Sequence, residues 1–285
     1  MQGRACGGWP LRIPGPRHAR TASGTVAHGA RHRFGGKGME TRYRIRAAIA
    51  FAILFVLYQS AEGVGQRWLG NFAVQAGLMV ACVVAAWPLS RWLGFRGYGA
   101  YALDLRVQAF AWLGFGLLLA VAAKAAAIAI GLHMGMLRAS GSASPLLAAL
   151  PMLLLSTFVP SIAEDILTRG FWYRAAGIAW KRGAAFVAFS TLAYVLNHLY
   201  RLGNGPMEWL LLASYGLAYG LAVWRTGTLW AAVGLHWGWN LANGVFALAW
   251  PNDVVDAASA PLLSIAAHLA MAAIVLLATV RTERR

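Results

Sequence analysis

The sequence predicts an all-α, polytopic membrane protein of about eight transmembrane helices. Three observations carry that prediction: composition, a series of long apolar segments, and a one-sided distribution of basic residues. Of 285 residues, 59% are hydrophobic and 12% charged, with mean hydropathy +0.57. A soluble domain of this size needs a charged surface, and a bilayer is the natural solvent for a chain that lacks one. The net charge of +16 then reads as cytoplasmic loops facing anionic lipid. With no basic and aromatic cluster on a soluble face, nucleic acid is not an expected partner. Cys6 and Cys82 are far apart in the sequence, so they suggest neither a disulfide framework nor a zinc knuckle.

A spanning helix needs about 20 mostly apolar residues. Eight segments qualify, at roughly 46–64, 70–90, 107–131, 145–173, 184–200, 207–224, 228–249 and 258–280. Pro, Gly and charged residues punctuate them. The 91–106 stretch alternates aromatic and basic residues and is expected to lie along the membrane interface. Residues 1–38 are rich in Arg, Gly and Pro without an acid. They read as a disordered basic tail or a misassigned start, with Met39 opening a natural beginning. Residues 39–285 are then one transmembrane domain.

Loop charges test the count. With the N-terminus cytoplasmic, one side holds Arg42, Arg44, Arg46, Arg91, Arg96, Arg106, Arg174, Lys181, Arg182, Arg225, Arg281, Arg284 and Arg285. The other holds Arg67, Arg138 and Arg201, with Asp253 and Asp256. Such an imbalance fits eight spans with both termini cytoplasmic. Trp92, Trp180, Trp224 and Trp230 on one side, and Trp68 and Trp209 on the other, suit aromatic belts.

Inside these spans stand residues that lipid penalises: Lys124, Glu164, Asp165, Arg169, His198, His236 and His268, with Asn197, Asn240 and Asn243. An ionisable group at membrane depth costs roughly 2.5–3.5 kcal/mol even on a lenient scale, so it needs a partner or a function. At 1.5 Å per residue, Glu164 and His236 fall about 15 Å from the cytoplasmic ends of their helices, and His198 and Asn240 about 20 Å. Three helices thus bring polar groups to one level. Asp165 and Arg169 are i,i+4 and within salt-bridge reach, whereas Glu164 is rotated about 100° away and can face another helix. Tyr194 and His198 share a face, as do His236 and Asn240. Gly216 and Gly220, and Gly234 and Gly238, have the small-residue spacing that lets helices approach closely. His268 reads as an interhelical hydrogen-bond partner, and Lys124 as a residue that snorkels or pairs within the bundle.

The stretch "EDILTR" resembles the Glu-Glu-x-x-x-Arg motif of the CPBP family of intramembrane proteases, which includes the type II CAAX prenyl endopeptidases and bacterial Abi proteins. "YVLNH" is similar to that family's Phe-x-x-x-His, and "HWGWN" matches its His-x-x-x-Asn. Asp165 stands where the family has a second Glu, and Tyr194 where it has Phe. The resemblance covers residues 145–250 and implies a four-helix catalytic core from helices 4 to 7. It implies an intramembrane endopeptidase of the cell inner membrane acting on peptide or membrane-protein substrates. Glu164 would then activate the water, with His198, His236 and Asn240 as catalytic partners. Arg169 and Tyr194 would be structural supports, and Asp165 a catalytic candidate that also suits pairing with Arg169. In the metal version, Glu164, His198 and His236 would hold a divalent ion such as Zn²⁺. The chain has no His-Glu-x-x-His helix, the usual signature of that chemistry. Two other readings compete: a non-catalytic immunity or scaffold protein of the same fold, and a proton-coupled transporter, which usually shows internal repeats.

Overall fold

Residues 37–178 and 180–283 are described by a computed structural model. The basic segment 1–36 lies outside the described residues, while Lys37 and Gly38 already belong to the first helix. Eight helices follow the eight predicted segments: α1 (Lys37–Ser60), α2 (Phe72–Trp92), α3 (Val107–His133), α4 (Leu146–Asp165), α5 (Gly183–Asn197), α6 (Pro206–Thr226), α7 (Leu229–Ala249) and α8 (Ala260–Glu283). Two helices run on as wider π-helical turns, α1 through Ala61–Trp68 and α4 through Ile166–Ala175.

The boundaries have local causes. Asn71 accepts a hydrogen bond from the Val74 N–H and so caps α2. Pro206 opens α6, where its missing N–H costs nothing, and left-handed Gly227 closes it. α4 carries Pro151 and Pro160, each of which removes a backbone donor and loosens the ladder one turn earlier.

Five passes are long and apolar enough to cross a bilayer on composition alone: Glu40–Trp68, Phe72–Trp92, Val107–His133, Leu146–Ala175 and Ala260–Thr279. Between 17% and 39% of each apolar window is buried in the bundle, so most of it faces outward. A water-soluble monomer rarely exposes contiguous apolar patches beyond a few hundred Å²; here lipid is the matching solvent, and the chain is a multi-pass membrane protein. α5 has 15 residues, about 22 Å at 1.5 Å each. α6 and α7 have the length, 21 residues each. They also carry Glu208 and Arg225, and His236, Asn240 and Asn243, respectively, which dilute their hydropathy.

Contacts between helix ends show that the passes alternate. At one end the Tyr43 hydroxyl donates to the Ala175 carbonyl (2.7 Å), Arg174 pairs with Asp104 (3.0 Å), and Arg225 Nε donates to Thr279 (2.9 Å). At the other end, β1 (Leu137–Ala139) and β2 (Asn252–Val254) form an antiparallel pair with Arg138 opposite Asp253. There also Arg201 pairs with Glu208, and Arg67 Nη2 reaches the Tyr200 carbonyl (3.4 Å). Arg174 and Arg225 therefore sit at one end, and Arg67, Arg138 and Arg201 at the other.

The 91–106 stretch departs from expectation. Gly99–Tyr101 is a 3₁₀ turn, and Tyr101 is fully buried. The Ala102 carbonyl accepts from the Leu229 N–H (3.0 Å), and the Asp104 carbonyl from Trp230 Nε1 (3.2 Å). Gly99–Asp104 tucks under α4 and α7 instead of lying along the interface, because its polar backbone finds partners there, while Arg91, Trp92, Arg96, Leu105 and Arg106 stay exposed. Trp230 is accordingly an internal clamp and no part of an aromatic belt, whereas Trp92, Trp68 and Trp209 are exposed.

Close packing sets α7 against α3. A Cβ on Gly238 would fall 2.7 Å from the Leu117 carbonyl oxygen, and one on Gly116 2.8 Å from the Leu235 nitrogen. On α6, a Cβ at Gly216 would lie 2.9 Å from the Thr191 Cα, and one at Gly220 3.2 Å from Ser190 Oγ. Glycine spacing brings α5 onto α6 and α3 onto α7, as the small-residue rule anticipates.

Candidate active site

The site forms where α4, α5, α6 and α7 meet. Glu164 and Asp165 end the regular part of α4, and Arg169 sits in the π-helical continuation. π-turns widen the helix and recur at functional positions. Glu164, Asp165, Arg169 and His236 are all buried.

The adjacent carboxylates face different partners. Asp165 Oδ1 accepts from Arg169 Nη1 and lies 3.2 Å from His236 Nδ1. Arg169 also donates to Thr168 Oγ1 (2.9 Å). Its guanidinium lies between two aromatic faces, 4.6 Å from the Tyr194 ring and 5.0 Å from the Tyr219 ring, a cation–π arrangement that offsets part of its desolvation. Glu164 meets two imidazoles, with His198 Nε2 3.5 Å from Oε1 and His236 Nε2 3.6 Å from Oε2. Both gaps exceed the range of a direct hydrogen bond. Asn197 Nδ2 approaches Oε1 at 3.4 Å, and Tyr58 of α1 is a hydrogen-bonding neighbour of the same carboxylate.

Each ring has a defined orientation. His198 Nδ1 lies 2.8 Å from the Tyr194 carbonyl oxygen. A carbonyl only accepts, so Nδ1 carries the proton and neutral His198 presents an Nε2 lone pair to Glu164. The Asp165 carboxylate imposes the same tautomer on neutral His236. A carboxylate behind an imidazole orients it and stabilises its protonated form, as in hydrolase triads. Tyr219 stacks on His236, with centroids 5.1 Å apart and planes 21° apart. The Tyr219 hydroxyl in turn bonds His268 Nε2 (2.9 Å), so His268 is the interhelical partner that the sequence suggested.

Glu164, Asp165, Arg169, Tyr194, His198 and His236 thus come together. Asn240 sits at the edge, its Nδ2 donating to Ser161 Oγ (3.1 Å), one turn before the carboxylates. His198 differs from its predicted setting. α5 ends at Asn197, and His198 is the residue just past it, with φ −85° and ψ 52°. Its place depends on how α5 terminates, and not on a helical face. Lys124 lies apart, 4.9 Å over the Trp239 ring. Tyr58, Gln59 and Tyr219 belong to the site or its support and were missed from sequence, since neutral polar residues and tyrosines in apolar helices carry little signal.

Among the described residues, no three His, Cys, Asp or Glu side chains are gathered in a way that could hold a metal ion. The two imidazoles approach different oxygens of Glu164, and in this arrangement the donors flank the carboxylate.

Buried carboxylates and oriented imidazoles thus meet inside a multi-pass helical bundle. Residues 145–242, about a third of the chain, match the family model described as Rce1-like, type II CAAX prenyl endopeptidase Rce1-like. Over that stretch the chain is similar to the CAAX protease-like intramembrane proteases of the CPBP group. No curated protein and no solved structure matches it.

Proposed function

We propose that this protein is an intramembrane endopeptidase in which Glu164 is the general base. One observation carries the reading: a buried carboxylate held between two imidazole Nε2 atoms at 3.5 and 3.6 Å, each ring anchored from behind. Neither contact is a direct hydrogen bond, so the Glu164 lone pairs that face the two rings remain available to a water.

The chemistry follows from these positions. Glu164 takes a proton from water, and the oxygen adds to the scissile carbonyl carbon. The carbonyl π pair moves onto oxygen and gives a tetrahedral oxyanion. His236, protonated at Nε2 and supported by Asp165, faces that charge, and the second N–H of the Asn240 amide can join it. Collapse breaks the C–N bond, and the proton held by Glu164 passes to the leaving amine, directly or through His198. Asp165 therefore acts through His236, and Arg169 and Tyr194 act through Asp165 and the ring stack.

The substrates are peptide segments of membrane-associated proteins presented from the bilayer. We place the protein in the cell inner membrane with the Arg174 end, and hence both chain ends, toward the cytoplasm. A cysteine introduced at Val254 on the opposite hairpin should react with a membrane-impermeant maleimide in intact cells. Labelling there only after lysis would invert the assignment.

The function is tested by comparing the proteomes of membranes containing wild type with those containing Glu164→Gln. Membrane peptides shortened only by wild type are expected; identical peptide termini in both would count against proteolysis. Metal content measured on the same active wild-type preparation decides the zinc question. Full activity with only substoichiometric transition metal removes zinc, and a stoichiometric ion whose removal stops turnover would require it.

A further inference from the structure

We propose that Gln59, in α1 and outside the matched region 145–242, is a positioning residue of the catalytic site. The last carbonyls of a helix have no partners within it, and α5 ends at Asn197 beside Glu164. Gln59 Nε2 supplies the missing donor. It bonds both the Asn197 backbone carbonyl (2.9 Å) and the Asn197 side-chain Oδ1 (3.0 Å). These two bonds do different work.

The bond to the backbone caps α5 where the chain turns out of the helix. The next residue is His198, whose φ/ψ of −85° and 52° are not helical. The imidazole that faces Glu164 is therefore set by a terminus that a distant helix holds. The bond to the side chain fixes the Asn197 amide: with Oδ1 accepting from Gln59, Nδ2 turns toward Glu164 Oε1 at 3.4 Å. One side chain thus governs two neighbours of the proposed base.

The setting suits this role. Tyr58, the preceding residue, is buried and neighbours Glu164 directly. Immediately after Gln59 and Ser60, α1 widens into its π-helical turn. There Gly63 leaves room for the Tyr200 hydroxyl, and Arg67 lies 4.7 Å over the Tyr200 ring. The segment that follows His198 is therefore clamped to the same stretch of α1. An amide is also the right donor at this depth, since it gives two hydrogen bonds without the cost of a charge in the membrane.

The proposal rests on Glu164 being the base, so its test has one arm that needs turnover and one that does not. Gln59→Met keeps the length and volume of the side chain and removes the donors. Gln59→Glu keeps the length and reverses the hydrogen-bond sense; it serves where the Met variant is poorly folded. On a peptide cleaved by wild type, either variant should lose kcat by on the order of 10²-fold, the scale of a roughly 1 Å misplacement of a catalytic group, with KM little changed. Asn197→Ala should cost a similar factor, and the double variant should lose no more than the worse single. The turnover-free arm is diethyl pyrocarbonate labelling read peptide by peptide. His198 should be modified faster in the Gln59 variants, with His236 unchanged. Wild-type kcat in a folded Gln59 variant, additive losses with Asn197→Ala, or an unchanged His198 labelling rate would each overturn the proposal. A wild type without turnover but with the labelling difference would overturn the protease reading and keep the positioning role.

Discussion

Glu164→Gln should stop peptide-bond hydrolysis while leaving a folded, extractable protein. The substitution preserves size and leaves an oxygen able to accept from Asn197, so the packing of α4 against α5 and α7 has no reason to change. What it removes is the capacity to take and return a proton. Loss of a positioned general base costs about 10²–10⁴-fold, enough to put turnover below detection in an ordinary peptide assay. His198→Ala and His236→Ala should be similarly inactive, because each ring meets a different Glu164 oxygen and neither can replace the other. The measurement is single-turnover cleavage of a membrane peptide in detergent or proteoliposomes, with thermal unfolding of each variant alongside. Wild-type rates from a well-folded Glu164→Gln protein would remove the proposed base. Proton-dependent solute uptake by the wild type would then favour the transport reading of the same buried carboxylate. An inert wild type would favour the scaffold reading.

The helices and the core of the site were legible for one physical reason. In lipid, apolar runs must be helices and buried ionisable groups must be explained, so Glu164, Asp165, Arg169, His198 and His236 stood out against their surroundings. Features built from backbone geometry were not legible. The exit of His198 from α5, the π-helical turn beneath Arg169 and the pairing of Arg138 opposite Asp253 leave no periodic trace, since each involves only a few residues. The inward fold of Gly99–Asp104 was misread because the surrounding 91–106 stretch, with Arg91, Arg96, Arg106 and its aromatics, has the content of an interfacial segment. The decisive interaction is a pair of backbone carbonyls, those of Ala102 and Asp104, receiving donors from Thr228, Leu229 and Trp230. Gln59 and Tyr219 were invisible for the opposite reason: their partners lie 138 and 49 residues away, and each alone is an ordinary polar residue in an apolar helix.

Arg169→Met should be the most destabilising single change in the site, and the way it is rescued separates structure from chemistry. Asp165 and Arg169 are both fully buried. Removing one member of a buried ion pair strands the other, at a cost of about 3–5 kcal/mol. Methionine can occupy the space between the Tyr194 and Tyr219 rings, but it cannot answer the Asp165 charge, which would keep only His236. Asp165 Oδ2 already has no hydrogen-bond partner, so the carboxylate has no reserve. Arg169→Lys should fall between wild type and Met, because an ammonium keeps the charge but lacks the flat face that lies against the two rings. The double variant Asp165→Leu/Arg169→Met removes both charges. It should recover most of the lost stability, since a buried pair replaced by apolar groups of similar volume is often neutral or better. Activity should not return with it: His236 Nδ1 loses the acceptor that holds its ring toward Glu164. Unfolding of the detergent-solubilised proteins, measured beside turnover, tests both halves. An Arg169→Met protein as stable as wild type would show that the ion pair does not hold the bundle. A double variant that regains turnover would show that Asp165 has no part in positioning His236.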